Sequence, residues 1–256
     1  MSVVEELVRL SLRLGEPGQD LAILAEGNAS ALDGDTFWVK ASGFSMSSMN
    51  AAGLIQVDLR HALDVLNGPD LDDAQTREAL KQVRTDKDTD LMPSVETFMH
   101  AYLLSLPDIA FVGHTHPTPL LSLLATDQAE SIARKRLFPD EIVCCGPATA
   151  YVPYVDPGLP LARAIKSSVE RYIETWESTP KTIWLQNHGL IVLGKNRKEI
   201  ESGTLMGVKA ARVWLGALSS GQTLTPLTEQ QVNRIHTRPD EHYRQRLLWQ
   251  LKGTQS

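Results

Sequence analysis

The segment Gly113-His114-Thr115-His116-Pro117, directly after the apolar run Ile109-Ala110-Phe111-Val112, constrains this chain more than any other. Residues i and i+2 of a strand point to one face, so the two imidazoles can converge on a single point. A third histidine, in Asn187-His188-Gly189, lies between two further apolar runs and could reach the same point from a neighbouring strand. Three imidazoles with one open position form the ligand set of a catalytic zinc, held at about 2.0–2.1 Å. The spacing therefore predicts a metal centre at His114, His116 and His188. Strand ends and the loops beyond them are where reactive groups are usually carried.

Glu96 lies near the start of a predicted helix and has two readings. A carboxylate there meets the helix dipole favourably; beside a metal it could instead accept or deliver a proton. His100 follows four residues later, on the same helical face, and is expected to hydrogen-bond or pack near the site rather than ligate. His61, His236 and His242 have no comparable context.

Hydrophobic periodicity predicts helices over 4–14, 75–84, 93–106, 120–127, 160–177 and 198–218. Strands are expected over 21–25, 36–41, 54–59, 109–116, 141–145, 150–155, 182–186 and 190–193, with turns at 26–30 and 33–35. Short strands mixed with long helices argue for one sheet covered by helices. The 256 residues suffice for one large α/β domain, and no break in composition divides them. The polar stretch from Thr223, punctuated by Pro226 and Pro239, is a tail with helical segments, which puts the main domain at 1–222 and the tail at 223–256, packed on its own or a neighbouring subunit.

A net charge of −6, with Arg134-Lys135-Arg136 as the one tight basic run, argues against nucleic acid as a partner. No apolar run approaches a membrane span, and the acidic start Met1-Ser2-Val3-Val4-Glu5-Glu6 does not read as a signal peptide, so a cytoplasmic protein is expected. Cys144 and Cys145 are the only cysteines. As neighbours on a strand they would face opposite ways and act as small buried hydrophobes.

Gly27-Asn28-Ala29-Ser30 and Lys40-Ala41-Ser42-Gly43 are loop segments that suit an anion, through close backbone approach and amide or hydroxyl donors. Together with Pro93-Ser94-Val95-Glu96, His100, His114-x-His116-Pro117 and Asn187-His188-Gly189-Leu190, they occur in an order and spacing that resemble the class II aldolase and adducin family, over about residues 3–220. The resemblance implies a three-layer α/β/α fold around a largely antiparallel sheet. It also implies a homotetramer with sites between subunits and a divalent metal, zinc first, with manganese or cobalt as alternatives.

By the same resemblance His114, His116 and His188 are the metal ligands and Glu96 is the catalytic acid–base. Gly27, Asn28, Ser42, Gly43 and Ser94 are then the pocket for a substrate phosphate, with Lys40 and His100 near it. Many relatives carry a second serine before the glutamate; here Val95 stands there, which removes a phosphate donor. Ser94-Val95-Glu96 and Tyr154-Val155-Asp156-Pro157-Gly158 are similar to the aldolase domains of rhamnulose-phosphate aldolase/dehydrogenase fusions, here expected to stand alone.

The implied activity is retro-aldol cleavage of a ketose phosphate or related hydroxy-keto compound through a metal-stabilised enediolate. Asp140, Glu141 and Tyr243 are candidates to deprotonate the departing hydroxyl. Epimerase, decarboxylase and adducin-like scaffold activities share the fold and are the alternatives.

Overall fold

The computed structural model describes residues 1–238. One seven-stranded sheet runs in the order β3-β2-β1-β4-β7-β6-β5. Its strands are β1 (Asn28–Asp33), β2 (Thr36–Lys40), β3 (Leu54–Asp58), β4 (Phe111–Thr115), β5 (Ala150–Val152), β6 (Thr182–Leu185) and β7 (Gly189–Gly194). Every pairing is antiparallel except that of β5 with β6.

Ten helices surround it among the described residues: α1 (Val3–Leu14), α2 (Leu59–Asn67), α3 (Asp73–Gln82), α4 (Thr97–Leu104), α5 (Thr118–Leu124), α6 (Ala129–Ala133), α7 (Pro139–Cys145), α8 (Leu159–Trp176), α9 (Arg197–Ser219) and α10 (Glu229–His236). They form two layers. On one face α2, α4 and α8 pack against Phe37, Val39, Val112, Ile191 and Leu193; on the other α1, α5 and α9 cover Ala29, Ala31, Leu190 and Val192. Burial on both faces explains why β7 reads as the unbroken apolar run Leu190-Ile191-Val192-Leu193. The three-layer α/β/α expectation, with a mostly antiparallel sheet, matches this architecture.

Four local expectations differ from the structure. Residues 141–145 are not a strand but most of α7, because Pro139 stands in its first turn and Asp140 and Glu141 follow where acidic residues favour a helix N-terminus. The two cysteines thus lie on a helix; neither is in a disulfide, and Cys145 is buried. Residues 21–25 are a loop, with Leu24 left-handed at φ 52°. Strand β1 begins inside the stretch that reads as a turn: Gly27, at φ 63°, makes the turn, and Asn28 already pairs with His114. Finally, α4 starts at Thr97 rather than Pro93, because Pro93 and Ser94 run alongside β2, bridging Ala41 and donating from Ser94 N–H to the Lys40 carbonyl at 3.3 Å. All eight residues of α4 are buried, so it has no polar face.

Within the described part of the tail, α10 packs on α7 and the Leu227 N–H donates to the Arg136 carbonyl at 2.8 Å. Tyr243 lies outside the described residues. No helix among those described is long and apolar enough to cross a membrane.

Candidate metal centre

The centre sits where the middle strands end. The register sets His114 of β4 between Asn28 of β1 and Ile191 of β7, on the face covered by α4. His116 follows two residues on, just past Thr115, its N–H held by the Leu21 carbonyl at 2.7 Å. His188 occupies the tight turn from β6 to β7, in which its N–H bonds the Leu185 carbonyl at 3.1 Å and Asn187 takes the left-handed conformation at φ 52° that asparagine tolerates. Gly189 completes the frame: a Cβ there would lie 2.5 Å from the Thr115 carbonyl oxygen and 2.8 Å from the His116 ring.

The three rings converge edge to face, with centroids 4.8, 5.0 and 5.1 Å apart. One ligand nitrogen from each lies within 4.8 Å of the other two. The Leu190 carbonyl sits 3.0 Å from His114 Nδ1 and accepts a hydrogen bond from it, so Nδ1 carries the proton and Nε2 keeps a lone pair. That Nε2 faces His116 Nε2 at 3.0 Å, near the roughly 3.3 Å expected for two nitrogens on one tetrahedral zinc. Glu26 flanks the ring, its Oε1 3.8 Å from His116 Nδ1. Nothing in the local sequence marks Glu26 as a neighbour of the centre.

Glu96 resolves its two readings by position. It is the N-cap of α4 but makes no capping hydrogen bond. Its carboxylate turns to the histidines instead, with Oε1 3.2 Å from His188 Nε2 and 3.5 Å from His114 Nε2. Oε2 accepts from Asn28 Nδ2 at 2.7 Å, whereas buried Oε1 has no hydrogen-bond partner. Burial opposes its ionisation, but the fields of His114 and His188 and the Asn28 donor outweigh it, so the carboxyl is held well below the usual range. Converging lone pairs and an orphaned carboxylate oxygen are what a divalent cation satisfies, so the donor set fits a metal.

The other expected pocket residues divide. Lys40 is buried and its ammonium is spent on the carbonyls of Ala25, at 3.0 Å, and Phe44, at 2.7 Å, tying two loops together. Burial lowers its pKa, against the pull of Glu96. Ser94 Oγ accepts from Asn28 Nδ2 at 3.2 Å and from the Glu96 N–H at 3.3 Å. Ser42 and Gly43 are exposed, and Gly43, at φ 84°, borders open space. Gly27 is buried, and a Cβ there would lie 2.6 Å from the His114 carbonyl oxygen. Asp140 and Glu141 are on α7; Glu141 accepts from the Leu137 N–H at 2.9 Å and lies 3.8 Å from Arg136. Among the described residues no hydrogen bond or ion pair joins either to Glu96 or the histidines.

Burial lowers His100, His114 and His116 to about 4 from the ordinary 6.5. The unfolded chain therefore takes up protons near pH 6.5 while the fold does not, so their contribution to stability is complete above that pH and is lost as pH falls towards 4. Chelator-treated protein should hold its thermal stability above about pH 7 and lose it progressively from about pH 6.5 to 5, by up to about 1.4 kcal/mol per histidine per pH unit inside that window. A melting temperature flat over this range would contradict the buried arrangement.

A model of the family Class II Aldolase and Adducin N-terminal domain matches residues 5–215. The chain belongs to this family. Its likeness to individual members is distant. It is 24% identical over 207 residues, 78% of its length, to the uncharacterized oxidoreductase YuxG of Bacillus subtilis strain 168, and spans 27% of that relative. The N-terminal class II aldolase domain of a conserved protein from Thermoplasma acidophilum superposes with a TM-score of 0.65 at 26% identity, covering 84% of this chain and 94% of that one. An L-fuculose 1-phosphate aldolase gives a TM-score of 0.67 at 17% identity, over 91% and 94% of the two chains, a likeness of fold alone.

Proposed function

We propose that this protein is a metal-dependent aldolase that reversibly cleaves a ketose phosphate or a related hydroxy-keto compound. The observation that carries this reading is the buried Glu96 Oε1, without a hydrogen-bond partner and facing the converging rings of His114, His116 and His188. Those histidines would hold the cation, taken as zinc with manganese or cobalt as alternatives. When bound, it supplies the positive charge that draws electrons from a carbonyl and tolerates negative charge on its oxygens as the neighbouring carbon–carbon bond breaks.

Glu96 is ionised before substrate arrives, so Oε1 can take a proton from the carbon next to the carbonyl in the synthetic direction; in the cleavage direction it must first take up a proton from solvent, which it then delivers to that carbon. Cleavage also needs a group to receive the proton of the departing hydroxyl. Glu141 is already engaged with Leu137 and Arg136, which leaves Asp140, Tyr243 and groups of a neighbouring subunit as the candidates for that step. Ser42, Gly43 and the Ser94 hydroxyl form the remaining polar wall for the substrate's far end, and half-exposed Val95 adds an apolar element. A homotetrameric, cytoplasmic enzyme acting on small molecules accords with this reading.

The test is product analysis after metal reconstitution, across phosphorylated and free ketoses. Two carbonyl fragments in equal amounts are expected. Carbon dioxide or an epimer without fragments would replace the aldolase reading by a decarboxylase or an epimerase on the same site.

A further inference from the structure

Asn28 has an obvious place in the substrate pocket, yet its carboxamide is fully engaged inside the protein. Nδ2 donates to Glu96 Oε2 at 2.7 Å and to Ser94 Oγ at 3.2 Å, while Oδ1 accepts from His100 Nε2. Behind His100, its Nδ1 lies 2.6 Å from Ser30 Oγ. Ser30 is two residues from Asn28 on the same face of β1, and His100 lies one turn into the helix that begins after Glu96. All five side chains are buried.

We infer that Ser30 and His100 are positioning residues that lock the Asn28 carboxamide so that its nitrogen faces Glu96. The direction of every bond follows from the charge at one end. An amide oxygen turned towards Glu96 would set two acceptors 2.7 Å apart, so the nitrogen points there and the oxygen points to His100. His100 Nε2 must then carry the proton, and its Nδ1 accepts from the Ser30 hydroxyl. A His100 protonated on Nδ1 alone would draw the Asn28 nitrogen to itself and leave Glu96 Oε2 without its donor.

The result is a one-way chain, Ser30 to His100 to Asn28 to Glu96, that fixes one carboxylate oxygen and leaves the other aimed at the histidines. It also leaves Asn28 with no donor for a substrate. The kinetic consequence rests on the reading of Glu96 as the acid–base group; the tautomer does not.

The first test is therefore the tautomer, from long-range proton–nitrogen spectra of zinc-loaded, histidine-labelled protein at neutral pH, with His100→Phe identifying the signals. A single proton on Nε2 is expected; a proton on Nδ1, alone or with Nε2, overturns the inference. The second uses exchange of carbon-bound hydrogen in dihydroxyacetone phosphate against deuterated water. His100→Phe should keep its metal and lose about 10- to 100-fold in kcat with KM unmoved. His100→Gln, which can still donate to Asn28 Oδ1, should recover most of that loss, and Ser30→Ala should lose less than His100→Phe. A raised KM with unchanged kcat would refute the proposal. Wild-type protein that neither exchanges nor cleaves would remove the aldolase reading alone, with the tautomer still deciding the chain of bonds.

Discussion

His116→Ala should purify folded but without its metal. The side chain is 19% exposed and lies beyond the last residue of β4, while its backbone bond to Leu21 survives truncation, so the variant loses a ligand and little else. Two imidazoles are left where three converged. Elemental analysis should find about one divalent ion per chain in the wild type and less than a tenth of that in the variant, with circular dichroism unchanged.

His114→Ala should lose the metal as completely and stability besides. That ring is wholly buried, and its removal opens a void and takes away the hydrogen bond to the Leu190 carbonyl, a cost of about 0.5–1.5 kcal/mol for that bond alone. Wild-type metal content in His116→Ala would mean that the triad does not bind the ion.

The sequence made this triad legible for a physical reason. A strand enforces a two-residue repeat, so His114 and His116 could be placed on one face before any fold was known, and a glycine after His188 marked the return turn. The long helices α1, α8 and α9 were equally plain, because their apolar stripes repeat over many turns.

Legibility failed where tertiary burial overrides local preference. In β1 the stretch Asn28-Ala29-Ser30-Ala31 has the small, polar composition of a turn, yet it lies between β2 and β4 under helices on both sides. Its residues are small on the α1 face and polar on the α4 face, where Asn28 and Ser30 meet His100. In α7, β-branched and apolar residues suggest a strand, and the acidic first turn with Pro139 was the stronger signal. Lys40 shows the same limit at the level of function. A lysine in an anion-like loop invites a phosphate, but only the fold reveals two carbonyls already holding its ammonium.

Glu96→Gln separates binding from chemistry most sharply. Glutamine has nearly the same shape, and its carbonyl oxygen can still accept from Asn28 Nδ2 where Oε2 does now, with its amide taking the place of Oε1. The amide cannot take up a proton, and it sets N–H groups where a carboxylate oxygen stood 3.2 Å from His188 Nε2. The three imidazoles are untouched, so metal content should remain near one per chain while turnover falls by about 10²- to 10⁴-fold, the usual span for loss of a general acid–base. Because its neighbours hold the wild-type carboxyl in its ionised form despite burial, the defect should persist across neutral pH rather than being relieved at either end of it. Glu96→Asp sharpens the comparison: it keeps the charge but draws the carboxylate back by one methylene, and activity well below wild type there would show that position as well as charge is required. Metal lost together with turnover in Glu96→Gln would instead make Glu96 part of the ligand set. Undiminished turnover would remove it from the reaction, and the proton at the substrate carbon would have to be carried by another group.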